Sequence, residues 1–379
     1  MNNKVLIFSY LPRHLKKMVP VIHSLSQDRS IELTVLVMSR EEQEIALQEG
    51  FSCTLLQQYT SKTPRWNFDL GWGLEPLIKA LDDVQPDLFI ALEVNYILRN
   101  AIRYCKQNNI RNLILQHGTP NEFSLHAFTP FEGECFAAWG EYTKDFLLKH
   151  GGITGSQIVL TGGVPFDKTI SLSPDKKEVA RSLGVPVNKK WIVFTTQSSG
   201  AHGRPTPSEI EMSILEVVEL SSHYSDVHFI FQVHPSQPIE EVSDIVSKSN
   251  NANYCTVARY KDTEGLMKLS DGVITFFSTT ALDAVIMQKP LMLINLHDDH
   301  EFLPFASMRA AYGVSSREEI AFALDNMIHQ PNALIDGARR AAEYVNYMNG
   351  DGKAIERVMQ LIHNILQNNY NTKEKDYEH

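Results

Sequence analysis

Residues 271–296 read DGVITFFSTTALDAVIMQKPLMLINL. A short apolar run over 272–276 leads into three hydroxyl residues, Ser278, Thr279 and Thr280. A helical stretch over 280–288 follows, and then a second apolar run over 291–294. Two near-continuous Val/Ile/Leu runs joined by one helix are what neighbouring parallel strands look like, because such strands are buried on both faces. The same alternation extends in both directions. Strands are expected over 5–8, 33–37, 88–91, 113–116, 136–139 and 158–161, then over 191–195 and 228–232. Helical periodicity fills 15–27, 41–48, 74–84, 95–108, 141–149, 208–222, 239–248 and 263–269, with a last helix near 353–367. The pattern occurs twice, which predicts two doubly wound α/β domains.

The expected boundaries follow composition. Domain one spans 1–165. The polar, Pro-bearing stretch 166–190 reads as a linker, because Asp167-Lys168, Ser173-Pro174-Asp175 and Pro186-Val187-Asn188 break the apolar pattern. Domain two spans 191–350. A helix over 351–368 is expected to pack back on the first domain, ahead of a polar tail over 369–379. A length of 379 residues suits two domains at about 150 residues each.

The charge balance, 35 Lys+Arg against 45 Asp+Glu, is mildly acidic and argues against a chain-wide grip on nucleic acid or anionic lipid. Cys53, Cys105, Cys135 and Cys255 are widely spaced, with no CxxC, so neither a disulfide framework nor a structural zinc is expected. The apolar run at 5–8 is too short for a signal sequence, and no stretch approaches the ~20 apolar residues of a membrane span. A cytoplasmic protein is expected, with peripheral contact at the inner membrane face left open. There is no GxxxxGK[ST], no GxGxxG after the first strand, no HExxH, no GxSxG and no Asp-x-Asp. A P-loop NTPase, a dinucleotide enzyme and the commonest metalloprotease and hydrolase signatures are thereby set aside.

In open α/β sheets, ligands bind beyond the carboxyl ends of the strands. The informative residues are therefore those at strand exits. His117, in Gln116-His117-Gly118, leaves its strand beside a glycine that lets the chain turn, and suits a general base or a hydrogen-bond donor to phosphate. His234-Pro235 ends the strand HFIFQ and places an imidazole where a nucleotide phosphate or ribose would lie. Ser278, Thr279 and Thr280 precede a helix, and Thr280-x-x-Asp283 fits a capping box; hydroxyls and free N–H groups there make an anion site without lysines. The loop 119–134 offers Glu122 and Glu132 as alternative bases, with a raised pKa if it encloses them in an apolar cleft. Spacing does not choose between them. Asp299 and Glu301, in the run His297-Asp298-Asp299-His300-Glu301, border a ribose, sugar or acceptor. Consecutive residues on one loop seldom converge on a metal, so none is expected there. Arg13 and His14, after the first strand, reach towards acceptor phosphate. Gly162-Gly163 reads as a tight turn.

LQHG at 115–118, WGEYTKDFLLKHG at 139–151, VLTGGVPFD at 159–167, VHP at 233–235, the 271–296 stretch and DGKAIERV at 351–358 occur in one order over most of the chain. In that order they resemble the GT-B superfamily of nucleotide-sugar glycosyltransferases, and more narrowly the bacterial capsule, lipopolysaccharide and teichoic-acid enzymes. The resemblance implies two Rossmann-like domains facing a cleft, with the acceptor on the first, the nucleotide on the second, and no obligate metal. In sialyl- and Kdo-transferase-like members, an HP motif and a Ser/Thr pair contact a CMP-type donor; here these would be His234-Pro235 and Ser278-Thr279. The acidic-acidic-Gly base motif of many sialyltransferases has only a partial counterpart in Phe131-Glu132-Gly133.

The expected function is metal-independent, inverting transfer of a sugar from a CMP- or UDP-linked donor to a bacterial surface-polysaccharide acceptor, which is oligosaccharide or lipid-linked. A UDP-sugar 2-epimerase or hydrolase and a CDP-polyol phosphotransferase share the fold and are the alternatives. A non-catalytic nucleotide-binding scaffold is the alternative of another class.

Overall fold

The computed structural model describes residues 2–61, 73–199, 205–276, 279–296, 301 and 303–368. The chain divides into two units, Met1–Asp167 with Val345–His379, and Lys168–Tyr344.

The first unit begins with β1 (Asn3–Ser9), α1 (Pro12–Gln27), β2 (Ile31–Val37), α2 (Arg40–Gln48) and β3 (Thr54–Leu55). It continues through α3 (Leu74–Val84), β4 (Leu88–Ala91), α4 (Tyr96–Gln107), β5 (Arg111–Leu115), β6 (Cys135–Ala138), α5 (Glu141–His150) and β7 (Ile158–Leu160). Its seven strands are ordered β3-β2-β1-β4-β5-β6-β7, and every pairing is parallel. Successive strand residues point to opposite faces, and both faces are apolar. On one, Leu6, Phe8, Phe89, Ile114 and Phe136 pack with α3 and α4. On the other, Val5, Ile7, Leu88, Ile90 and Leu113 pack with α1 and with a helix from the far end of the sequence.

The chain crosses into the second unit within α6 (Val164–Ser171), followed by α7 (Lys176–Leu183), β8 (Lys190–Thr195), α8 (Pro207–Ser221), β9 (Val227–Gln232) and α9 (Ile239–Ser247). Then come β10 (Cys255–Ala258), α10 (Thr263–Leu269), β11 (Gly272–Thr275), α11 (Thr280–Ile286), β12 (Leu291–Ile294), β13 (Tyr312–Val314), α12 (Arg317–His329) and α13 (Ile335–Val345). This sheet is also all parallel, in the order β10-β9-β8-β11-β12-β13. Ile192, Phe194, Phe229, Phe231, Ile274 and Met292 form one core face beneath α8, α9 and α12. The final helix, α14 (Ala354–Leu366), returns to the first unit: Val358, Leu361, Ile362 and Ile365 join the core of β1 and β4. Asp167 holds its start by accepting from the N–H groups of Ala354 (3.1 Å) and Ile355 (2.9 Å).

The stretch 166–190 is not an extended linker. It carries most of α6 and all of α7, and the units divide at Asp167. Asp175 caps α7 by accepting from Lys177 N–H (2.7 Å), and only Val179 and Ala180 are buried, so this polar helix leaves little apolar pattern in the sequence. The second unit ends at Tyr344 rather than at 350. Three edge strands (β3, β10, β13) and two further helices (α12, α13) were not anticipated. Gly162 has φ +76°, and a Cβ there would meet Arg357 Nη2 at 2.8 Å, so the tight turn after β7 requires glycine.

Candidate functional site

Both sheets run their first three strands to one side and then switch. In the first unit the switch falls between β1 and β4, and in the second between β8 and β11. At such a point the chain leaves neighbouring strands in opposite directions and opens a crevice at their carboxyl ends.

In the first unit, three ionisable side chains gather at this edge. His14 lies in the first turn of α1 after β1, Glu93 two residues past β4, and His117 two residues past β5. Their ligand-type atoms all lie within 4.8 Å of one another, and His117 Nε2 is 3.7 Å from Glu93 Oε2. His117 Nδ1 sits 2.9 Å from the carbonyl of Leu92. A carbonyl only accepts, so Nδ1 carries the proton and the Nε2 lone pair is left facing Glu93. The ring stacks on buried Phe128 at 5.3 Å, and Lys17 donates to the backbone carbonyl of His117. Burial, followed by the charge of Lys17, pulls the His117 pKa down to about 4. Burial pushes Glu93 up to about 7, against a hydrogen bond from Asn95. Each shift disfavours the charged form, so the 3.7 Å contact is not a plain ion pair.

Gln116 braces this turn. Its Nε2 donates to Gly118 O and to Thr143 Oγ1, both at 2.9 Å, and its Oε1 accepts from Trp139 N–H at 2.6 Å.

His14 is an inward-facing residue, 1% exposed, not a solvent-facing contact for acceptor phosphate. Among the described residues neither of its ring nitrogens has a hydrogen-bond partner. Tyr10 meets it edge-on at 4.9 Å, and burial pulls its pKa down to about 3. Arg13 beside it is exposed. Glu132 is held by the guanidinium of Arg103, which keeps its carboxyl below the ordinary range, opposite to the raised value expected of an enclosed base. The side chain of Glu122 lies outside the described residues.

In the second unit, His234 follows β9 and opens a turn with Pro235, closed by Gln237 N–H donating to His234 O (3.0 Å). His234 Nδ1 accepts from the N–H of Ser236 (3.2 Å) and pairs with its hydroxyl (2.7 Å). The neutral ring therefore carries its proton on Nε2. Ser236 Oγ lies 3.2 Å from Ser198 Oγ, past the end of β8. Across the switch point, Thr280 Oγ1 lies 3.0 Å from Thr195 Oγ1 and 3.1 Å from Thr275 Oγ1.

The N-cap of α11 falls one residue before the Thr280 of the expected capping box. Thr279 is the N-cap of α11, makes no side-chain cap bond, and is itself helical. Thr280 ties strand ends together instead, and Asp283 is half-buried inside α11. Ser278 and Asp299 lie outside the described residues. Both oxygens of Glu301 are taken by Ser307, from its N–H (3.0 Å) and its hydroxyl (2.8 Å), so this carboxylate holds its own loop.

Sequence reasoning missed Glu93 and the Ser198–Ser236 pair. The signal for Glu93 was the rule that selected His117: a polar residue just past a buried strand.

No curated protein sequence matches the chain. Solved structures resemble it over almost its whole length. UDP-GlcNAc 2-epimerase from Neisseria meningitidis, bound to UDP-GlcNAc, aligns with a TM-score of 0.71 at 17% identity, covering 95% of this chain and 99% of its own. A glycosyltransferase from Rickettsia africae aligns at 0.64 and 13%, covering 97% and 99%. The wall teichoic acid polymerase TagF aligns at 0.60 and 12%, covering 96% and 89%. Identities this low speak to the fold, the two-domain Rossmann-like fold of the GT-B superfamily. The family model for CDP-glycerol:poly(glycerophosphate) glycerophosphotransferase matches residues 141–364, more than half of the sequence. With that match on this fold, the chain belongs to the CDP-glycerol:poly(glycerophosphate) glycerophosphotransferase family, a transferase family of the GT-B superfamily.

Proposed function

We propose that the chain transfers a polyol phosphate, glycerol phosphate in the family's own case, from a CDP-linked donor to a hydroxyl of a phosphate-polymer acceptor. The acceptor oxygen attacks the phosphorus that carries the polyol. The pyrophosphate P–O bond breaks and CMP leaves with that bond's electron pair. The acceptor's proton passes to His117 Nε2. The observation that carries this reading is the bond from His117 Nδ1–H to Leu92 O, which leaves Nε2 as an acceptor at the exit of β5. Once protonated, the ring has Glu93 at 3.7 Å as its counter-charge. In the second unit, His234 Nε2–H, the Ser198–Ser236 hydroxyls and the residues Ser278 and Thr279 receive donor phosphate and stabilise charge on the departing CMP. Arg13 receives acceptor phosphate. The reading needs no metal.

The test is CMP release from CDP-glycerol in the presence of a glycerol-phosphate oligomer, in EDTA. Acceptor-dependent release is expected. His117→Gln should lower turnover by about 10²–10⁴-fold with donor affinity retained. Consumption of a CMP- or UDP-linked sugar instead would favour the sugar transfer anticipated from the motifs. Conversion of UDP-GlcNAc without acceptor would favour an epimerase. Nucleotide binding without turnover of any donor would favour a scaffold.

A further inference from the structure

We infer that His14, Glu93 and His117 form a binding site for a first-row divalent cation of the zinc type, and that the bound ion switches the transferase off. Two imidazoles and one carboxylate are a ligand set that zinc takes when it keeps one position open. The three residues come from adjacent strand exits, β1, β4 and β5, so the sheet itself holds them together.

The spacing is close to what an ion needs. Ligands about 2.1 Å from a tetrahedral ion lie roughly 3.4 Å apart. His117 Nε2 and Glu93 Oε2 are already at 3.7 Å, and the full set lies within 4.8 Å. Turning the carboxylate and the His14 ring inward closes the remainder. The outer partners of an ion site are also in place. The second nitrogen of His117 donates to Leu92 O, and Asn95 Nδ2 donates to Glu93 Oε1 at 3.0 Å. Such bonds orient ligands and fix their tautomers.

The independent observation is His14. A buried imidazole with no hydrogen-bond partner on either nitrogen among the described residues calls for an explanation, and its ring lies 5.2 Å from that of His117. An ion supplies the missing partner. Arg13 and Lys17 nearby oppose a cation, and Glu93 is the carboxylate of the set that offsets them.

Regulation follows from one lone pair. His117 Nε2 serves as ligand or as base, never both at once. This half of the inference rests on the proposed function; the binding half does not.

The test is titration of the EDTA-stripped full chain with Co²⁺, read by its visible absorption, with Zn²⁺ as competitor. One ion per chain is expected, and His14→Gln and Glu93→Gln should each weaken binding at least tenfold, roughly the lower bound for loss of even an outer-shell partner. His363→Gln, on α14 at a half-buried contact with Asp28, should leave binding unchanged. Should His14→Gln fail to fold, zinc-edge X-ray absorption of the wild-type complex should count two imidazoles. No saturable binding, binding indifferent to both substitutions, or an ion without imidazole ligands overturns the site. Zn²⁺ should inhibit CMP release at the concentration where it binds, and EDTA should restore it. A 1:1 ion with no transfer reaction refutes the proposed function and leaves the site standing. Transfer unaffected by a bound ion overturns the regulatory half.

Discussion

At the scale of single residues, Gln116 and His234 separate structure from chemistry. Gln116 is buried and uses both ends of its amide, so Gln116→Leu strands the N–H of Trp139 and loosens the turn that carries His117. A loss of about 1–3 kcal/mol is expected, measured by denaturant unfolding. His234 is exposed and among the described residues bonds only within its own turn, so His234→Ala should leave the melting temperature in place. If its Nε2–H meets donor phosphate, affinity for CDP-glycerol should fall about 10–100-fold by calorimetry, from about 1.5–3 kcal/mol for a bond to a charged group. Unchanged affinity would remove His234 from the donor site. Both histidines were legible because a His-Gly or His-Pro step after an apolar run marks a strand exit. Glu93 was not. Its neighbours Leu92 and Val94 continue the apolar run, and only the sheet order brings it beside His117. Pairing of strands distant in sequence is set by packing, which a local pattern does not encode.

At the scale of elements, caps and close approaches govern. Thr206 accepts from Glu209 N–H, and Glu209 reaches back to Thr206 N–H at 2.7 Å, a complete capping box at the start of α8. Thr206→Ala should cost about 1 kcal/mol, read from the shift in unfolding midpoint. Gly337 in α13 leaves no room at all: a Cβ there would lie 1.8 Å from Arg309 O. Gly337→Ala, which raises helix propensity, should nevertheless destabilise by about 1–3 kcal/mol or more because backbone must move. An unchanged melting curve would refute that packing. Buried strands such as β4 and β12 were legible to the residue, since each is a short apolar run that starts after a breaker or charged residue, Asp87 or Pro290. The short edge strands were not, because β10 and β13 are half-exposed and take their identity from a neighbour. α12 carried a readable signal, with Ile320, Ala323, Leu324, Met327 and Ile328 at helical spacing, and was overlooked. At 280–283 the same patterning misplaced the cap by one residue, and Thr280 Oγ1 lies within hydrogen-bond distance of Thr195 and Thr275 instead.

At the scale of the whole molecule, α14 makes the first unit discontinuous in sequence. Ile362 is fully buried against β1 and β4, so Ile362→Ala should cost the first unit about 2–5 kcal/mol. Amide hydrogen exchange should report the loss in β1, β4 and β5 and leave β8 and β9 protected. Equal loss in both sheets would mean that the two units unfold as one.

The return of α14 also sets a timetable on the ribosome. Residues up to Asp167 emerge first, yet one face of their sheet waits for a helix that begins at Ala354. At about 5–20 residues per second, the roughly 190 intervening residues take about 10–40 s. Through that interval the nascent first unit presents the uncovered apolar groups of β1, β4 and α1 to its surroundings, while the second unit, contiguous in sequence, is free to fold. Chains arrested short of residue 354 should therefore be cut by protease within 1–167, and chains carrying α14 beyond the exit tunnel should resist.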